Sequence, residues 1–488
     1  MSNINETLDA MKAAQANGSS DLAKSMTVST GLVYYDLQAP ALNLYPVITP
    51  LRNETPRVGG GGDTATRWKA ITAINSTNVH LGVAEGSRGG TITTTVDSKT
   101  AAYVGFGLED SVSFEADYAA QNFDDLKAKS ALGLLRSMMI GEELHLFGGN
   151  ASCKLGTTPT PTVTNAGTGG TIASATYNVA CVALTVQGYL RSSLANGVVG
   201  TISKTNVDGT TDSIKGGAAA QSATASTTTT GSTSTISAHV TAVEGAVAYA
   251  WYCGTAGNEK LEAITKINSV CLTALVGTHQ ALASAPSTDK SWDATYDYDG
   301  LLYSATAANG ATVKTLATGT DGTGTALTAD GAGGVTEINE VLASMYDSYK
   351  LGPTDMLVSA TDLVAITKLV VGNGGAPLFR FNMDMGGNGQ ASIQAGTVVG
   401  SYLNPITQGL IRVRVHPNAV QGTILMYARE IPYPLSGVGN VFQVKTRRDY
   451  YQIEWPLVTR AYQYGVYLDS VLQHYAPFSM AVIKNIKA

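Results

Sequence analysis

Residues 124–150, DDLKAKSALGLLRSMMIGEELHLFGGN, read as one long amphipathic helix that stops at a glycine pair. At about 100° per residue, Ala128, Ala131, Leu132, Leu134, Leu135, Met138 and Met139 share an arc of roughly 160°, with Lys129, Ser130, Arg136 and Ser137 outside it. Gly148 and Gly149 are expected to supply a left-handed stop. A helix of this length needs a sheet along its whole apolar face. Yet the chain that follows changes character within a turn: residues 155–190 contain no Lys, Arg, Asp or Glu. Residue 150 therefore reads as a boundary where a separate, β-rich unit begins.

Within that unit the runs TIASATYNVACVALTV, GAVAYAWYCGTAG and KINSVCLTALV are strand-like. In VAYAWYC, Val247, Tyr249, Trp251 and Cys253 alternate and are expected to place large apolar groups on one face. Several short strands separated by turns predict a small β-sandwich with its own core. The stretch AVEGAVAYAWYCGTAGNEKLEAIT resembles a strand–turn–strand of immunoglobulin-like or fibronectin-like modules. Residues 216–235 use only Gly, Ala, Gln, Ser and Thr and are expected to form a mobile loop. Cys153, Cys181, Cys253 and Cys271 all fall in this middle segment, with no CxxC spacing, and are expected to be buried, reduced thiols.

Outside it, residues 1–27 predict a short helix, with Asn3 and Glu6 as a capping pair, followed by a flexible stretch. Residues 30–56 are proline-punctuated and extended, an arm that needs a surface to lie on. The segments 65–75 and 90–114 alternate and read as one long two-stranded excursion, with Gly59–Gly62 as its hinge. A lone hairpin is marginal in water, so it is expected to dock on a partner. Residues 335–353 predict a helix with Ile338, Val341, Leu342, Met345 and Tyr349 on one side, Thr336 as cap and Gly352-Pro353 as stop. DMLVSA reads as a strand, and ATDLVAITKLV as a second helix capped by Thr361. The tail is a set of long, aromatic-rich strands.

This order of elements resembles the major capsid proteins of tailed bacteriophages, which have the Hong Kong 97-type fold. SALGLLRSMMIGEELHLFGGN and YYQIEWPLVTRAYQYGVYLDSVLQHYAPFSMAVI resemble the spine helix and returning strands of the peripheral domain. NEVLASMYDSYKLGPTDMLVSATDLVAI resembles a helix–strand–helix of the axial domain. The resemblance implies an α+β fold: N-terminal helix and arm (1–56), extended hairpin loop (57–115), spine helix (116–151), axial domain (288–440) and closing peripheral strands (441–488). The all-β sandwich of residues 152–287 would be an insertion into it. It further implies a structural protein rather than an enzyme, self-assembling into hexamers and pentamers of an icosahedral virion shell in the bacterial host cytoplasm. Portal, scaffold and decoration proteins would be its partners, and enclosed DNA a weak, non-specific contact. A secreted or surface adhesin built from β-modules is the alternative, opposed by the absence of a signal peptide in MSNINETLDAMKAAQ.

The chemistry agrees with a structural role. The net charge is −6, and gripping a nucleic-acid backbone needs a cationic excess. Lys445, Arg447 and Arg448, the densest basic cluster, are expected to form ion pairs at a strand or subunit edge. VGGGGDT lacks the Lys-Ser/Thr of a phosphate loop. His145 beside Glu142 and Glu143 has no second histidine at i+4, so no zinc site is expected. Asp297 and Asp299 in YDYDG read as a turn rather than a calcium loop. Some members of the resembled family cross-link subunits through lysine and asparagine. Lys69 and Lys99 lie in the expected hairpin, but nothing identifies partners for them. No catalytic, cofactor or metal residues are assigned. Charged residues make up only 14% of the chain, against the usual ~25%, which lowers the desolvation cost of pairing surfaces.

Overall fold

The structure is a computed structural model that describes residues 46–74, 82–91, 93–120, 125–372, 399–433 and 436–487. The expected N-terminal helix and most of the arm lie outside these residues.

Three bodies of β-structure organise the fold. The first is a four-stranded sheet in the order Arg57–Gly59, Phe442–Glu454, Ala461–His474, Val104–Ser113. The helix Leu126–Gly148 lies along it, and we call the two the spine sheet and spine helix. Asp125 caps the helix by accepting from Ala128 N at 3.0 Å. Leu134 and Met138 bury against Val112, Tyr464, Val466 and Leu468. Leu135 and Met139 are half-buried, and Leu132 faces out at 44% exposure. The apolar stripe is thus narrower than its pattern predicts over the first three turns. Over the last two, Glu142, Glu143, Leu146 and Phe147 are all buried.

The second body is a six-stranded sheet in the order 312–315, 480–484, 424–427, 355–358, 410–415, 401–403. The helix Thr336–Tyr349 packs on it through Ile338, Val341, Leu342 and Met345, as their spacing predicts. Its ends differ from expectation. Val335 precedes the helix without a side-chain cap, and Lys350 takes the left-handed conformation at φ 54°. The helix Ala360–Gly372 is capped by Ser359, not Thr361, through Asp362 N to Ser359 Oγ at 3.1 Å. The strand Met480–Lys484 joins this sheet, so the tail 441–488 does not close the spine sheet as one unit. Met480 and Val482 bury on one side and Ala481 and Ile483 on the other, because this sheet is covered on both faces.

The third body spans residues 162–272. Sheets of order 269–272, 235–239, 162–166 and 260–265, 248–254, 176–184, 225–228 face each other across Cys181, Trp251, Cys253, Ile236, Ala238, Val270 and Leu272. Strands 176–184 and 248–254 are buried on both faces. Ala248, Ala250 and Tyr252 pack against Leu261, Val198 and Ala285, so VAYAWYC serves two cores rather than one face. Residues 216–235 are not one loop: Ala218 and Ala219 are fully buried, and Ala225–Thr228 is a strand between two irregular, partly exposed stretches. Small residues are required there because backbones touch. A side chain at Gly217 (φ 94°) would collide with Gly188 N and Thr185 Oγ1. All four cysteines are free, Cys181 and Cys253 buried but Cys271 exposed, against the expectation for it.

Where the chain leaves the spine helix it also returns. Asp293 N donates to Asn150 O and Gly300 N to Gly149 O, both at 2.9 Å. Asp297 accepts from Asn150 N (2.9 Å), Gln187 Nε2 (2.5 Å) and His145 Nδ1 (2.7 Å), and Asp299 accepts from Ala151 N and Ser152 N. YDYDG is therefore a clasp holding the two crossing segments together. The glycine pair has a different job from the one expected. Gly149 is extended (φ −63°, ψ 143°), and a side chain there would strike Tyr298 O and the Asp297 carboxylate. The third body also shares a core with the first two, through Val186, Tyr189 and Val247 against Phe147, Tyr298 and Tyr303. Asn268 and Asn485 exchange hydrogen bonds at 2.9 and 3.0 Å. Among the described residues no helix is long and apolar enough to cross a membrane.

Candidate assembly surfaces

Among the described residues Ala65–Ile74 and Thr94–Ala102 pair only with each other, as a two-stranded arm. The excursion is shorter than expected: Val104–Ser113 pairs along its whole length with Ala461–Ser470 in the spine sheet. The arm's cross-strand pair Ile71 and Val96 is 66% and 50% exposed, a position that an apolar pair holds at a cost unless something covers it. Lys69 and Lys99 lie on this arm, with Lys99 opposite Trp68. Gly60 N donates to Thr446 O at 2.6 Å where the arm starts, and a side chain at Gly60 would meet the Tyr103 ring.

The arm's root rests on Trp68 packing edge-on to Tyr475 at 6.4 Å. Beside it His474 is 4% exposed, stacked on Phe442, with neither ring nitrogen hydrogen-bonded among the described residues. Burial, then the charge of Lys99, lower its pKa from 6.5 to about 3. Between those values the unfolded chain takes up a proton that the native one refuses. Stability is therefore expected to fall as pH drops below about 6.5, by up to ~1.4 kcal/mol per unit. Urea melts of wild type and His474→Phe should coincide above pH 7 and diverge below pH 6, the wild type losing more. Parallel profiles would refute this.

Two further apolar stations lie at the ends of the other sheets. Where the strands 442–454 and 461–474 turn, Trp455, Leu457 and Val458 are 41%, 60% and 85% exposed. Tyr118, on the helix Phe114–Ala119 tied to this end by Phe114 N to Arg460 O, is 79% exposed. At the edge of the six-stranded sheet, Leu403 of the edge strand and Leu410 paired with it on the next strand are 60% and 67% exposed, with Ile406 in the turn between them. An exposed apolar edge strand invites pairing with another chain.

Solved structures similar to this chain include two capsids and an encapsulin complex. The capsid of an empty GTA particle is 9% identical with a TM-score of 0.42, covering 95% of this chain and 99% of that one. The capsid of Cyanophage P-SCSP1u is 8% identical at 0.41, covering 96% and 98%. The holo-SrpI encapsulin complex from Synechococcus elongatus PCC 7942 is 9% identical at 0.37, covering 93% of each. No protein-family model and no curated protein matches the chain.

Charged joints tie the short helix Pro50–Glu54 to the spine helix and to the six-stranded sheet. The short helix Pro50–Glu54 sits on the spine helix, where Glu143 accepts from Leu51 N (2.9 Å) and Arg52 N (2.7 Å). His416 Nδ1 accepts from Asn418 N, so Nε2 carries the proton and donates to Glu143 at 2.8 Å. Glu142 pairs with Arg52 (2.9 Å) and Arg57 (2.6 Å) and accepts from Tyr450 OH. At the other end of the short helix, Glu54 bridges Arg414 and Arg429. Burial raises its pKa, but those two guanidiniums outweigh it and leave the carboxyl lowered. The same arginines and Arg412 converge on Asp355, which is fully buried.

These carboxylates were not singled out by sequence reasoning beyond the note on Glu142, Glu143 and His145. The structure sends the three to different partners. Among the described residues no group of three or more His, Cys, Asp or Glu is placed to hold a metal. In the basic cluster, Arg447 pairs with Asp469 (2.9 Å), Arg448 lies over Tyr451, and Lys445 reaches Gly59 O.

Proposed function

We propose that this chain is the major capsid protein of a tailed phage, a structural subunit of a virion shell. The observation that carries the reading is the arm Ala65–Ile74/Thr94–Ala102, which leaves Ile71 and Val96 uncovered while its continuation is locked into the spine sheet. Covering this arm, the spine tip and the edge strand takes neighbours on several sides, which closed symmetric assembly provides. Each contact then adds apolar burial at roughly 25 cal/mol per Å² before association costs.

The subunits form hexamers and pentamers. The residues between the Asn150 and Asp293 crossing form an inserted immunoglobulin-like sandwich on the outer face of the shell, assembled in the host cytoplasm around DNA that it contacts weakly. Portal, scaffold and decoration proteins complete the particle. The adhesin alternative gives the arm and the charged joints no role.

Purified protein is expected to yield capsomers or shells by negative-stain microscopy. Ile71→Glu/Val96→Glu should keep the native circular dichroism and melting temperature yet reduce assembled mass at least about tenfold, since two charges would have to be desolvated in the contact. A wild-type protein that stays monomeric at all salt and protein concentrations would overturn the reading. So would a double variant that assembles normally.

A further inference from the structure

We propose that the seat of the two-stranded arm is a proton-operated latch: a proton on His474 lifts the arm off the spine sheet while the rest of the fold stays closed. The latch belongs to the single subunit and stands whether or not copies assemble. The arm strand Thr94–Ala102 lies against Ala461–His474, and Trp68 on the other arm strand packs on Tyr475. Yet three nitrogens buried there, Trp68 Nε1 and both ring nitrogens of His474, have no hydrogen-bond partner among the described residues. Those side chains hold the seat by packing, not by hydrogen bonds.

Seated and neutral, the imidazole leaves one N–H and one lone pair unmet. Protonated, it would be a buried cation with two unmet donors, a far costlier state. Its neighbours supply no counter-charge. The arm brings Lys99, a second cation that acts on the ring and whose own partner is Asp97 of the same strand, at 3.8 Å. Strand Phe442–Glu454 presents the Phe442 ring, and its Gln443 accepts from Gln473 at 3.0 Å. Beside the imidazole in sequence stand Gln473 and Tyr475, neutral and joined to each other at 3.2 Å. The least costly escape is local. The arm meets the body through residues 60–64 and Tyr103, where Gly60 N donates to Thr446 O at 2.6 Å and Tyr103 N to Thr64 O at 3.0 Å. Gly61 and Gly62 have open space around them, so a rotation there brings water to the ring without breaking the ladders of the spine sheet. Once exposed, the imidazole regains its ordinary pKa of 6.5. Each pH unit below that value then favours the open form about tenfold, ~300-fold in all by pH 4.

The test is amide hydrogen exchange of the full chain from about pH 7 to about pH 4, read as the ratio of wild type to His474→Phe so that the intrinsic pH dependence of exchange cancels. If the phenylalanine variant does not fold, His474→Gln is the non-titrating reference. Released, the arm is a bare two-stranded ribbon, marginal in water, so its amides exchange on each opening. In residues 65–74 and 94–102 the ratio should climb about tenfold per pH unit below 6.5. It should also be indifferent to about 1 M urea, because this opening exposes little surface. Amides of the buried strand Ile424–Tyr427, which exchange through global unfolding, should be accelerated by the same urea. An arm ratio that stays flat with pH, or arm amides as urea-sensitive as those of the buried strand, would overturn the proposal.

Discussion

Asp355→Ala is expected to destabilise the subunit by about 3–5 kcal/mol, the cost of removing one partner from a buried charge cluster. The carboxylate is fully buried, with Arg412 at 2.8 Å, Arg429 at 2.7 Å and Arg414 at 3.3 Å. Without it three guanidiniums would face one carboxylate, Glu54, which is one-third exposed and sits on a separate short helix. Among the described residues the Arg414 Nε lacks a partner in the native state, so the cluster has no spare acceptor there. Urea unfolding of the variant against Asp355→Asn checks this, since the amide keeps the volume and one acceptor and should recover part of the loss. A change under about 1 kcal/mol in the alanine variant would mean that Glu54 and solvent carry the arginines unaided.

Replacing residues 152–287 with a short Gly-Ser linker is expected to abolish soluble protein. The sequence pattern, with a self-contained sandwich between flexible joints, predicts the opposite: a module that can be lifted out. The shared packing decides otherwise. Deletion would remove Val186, Tyr189 and Val247 from the core around Phe147, Tyr298 and Tyr303. It would take the Gln187 bond from buried Asp297 and the Asn268 bonds from Asn485. Each large apolar side chain uncovered costs roughly 1.5–3 kcal/mol, which exceeds the margin of most domains within a few residues. Recovery in the soluble fraction with native circular dichroism is the measurement. Normal yield would show that the host fold closes without the sandwich.

The legible parts of this fold were those where a single period governed the segment. The helix 336–349 shows its buried face at i, i+3, i+4 and i+7, and the spine helix announces itself by length and composition. What the pattern hid were places where partners distant in sequence override a local rule. Glu142 and Glu143 look solvent-facing until the Pro50–Glu54 helix, Arg57 and His416 arrive to satisfy them. The Gly/Ala/Ser/Thr run of 216–235 looks too polar to order, yet small size rather than hydrophobicity is what its crowded backbone demands. Residues 90–114 look like one strand, and only pairing shows that they divide at Tyr103 between the arm and the spine sheet. The exposed Ile71, Val96, Leu403 and Leu410 alternate like ordinary strand residues, so nothing in the sequence marks them as uncovered.

The strand Ala461–His474 runs for 14 residues, roughly 46 Å at the usual rise, from the bare tip near Val458 to the buried ring of His474. That ring adjoins Tyr475, on which Trp68 of the arm is seated. One continuous strand thus joins the exposed tip to the seat of the arm. In the shell proposed above, a neighbour covering the tip and a neighbour covering the arm would meet the two ends of the same strand.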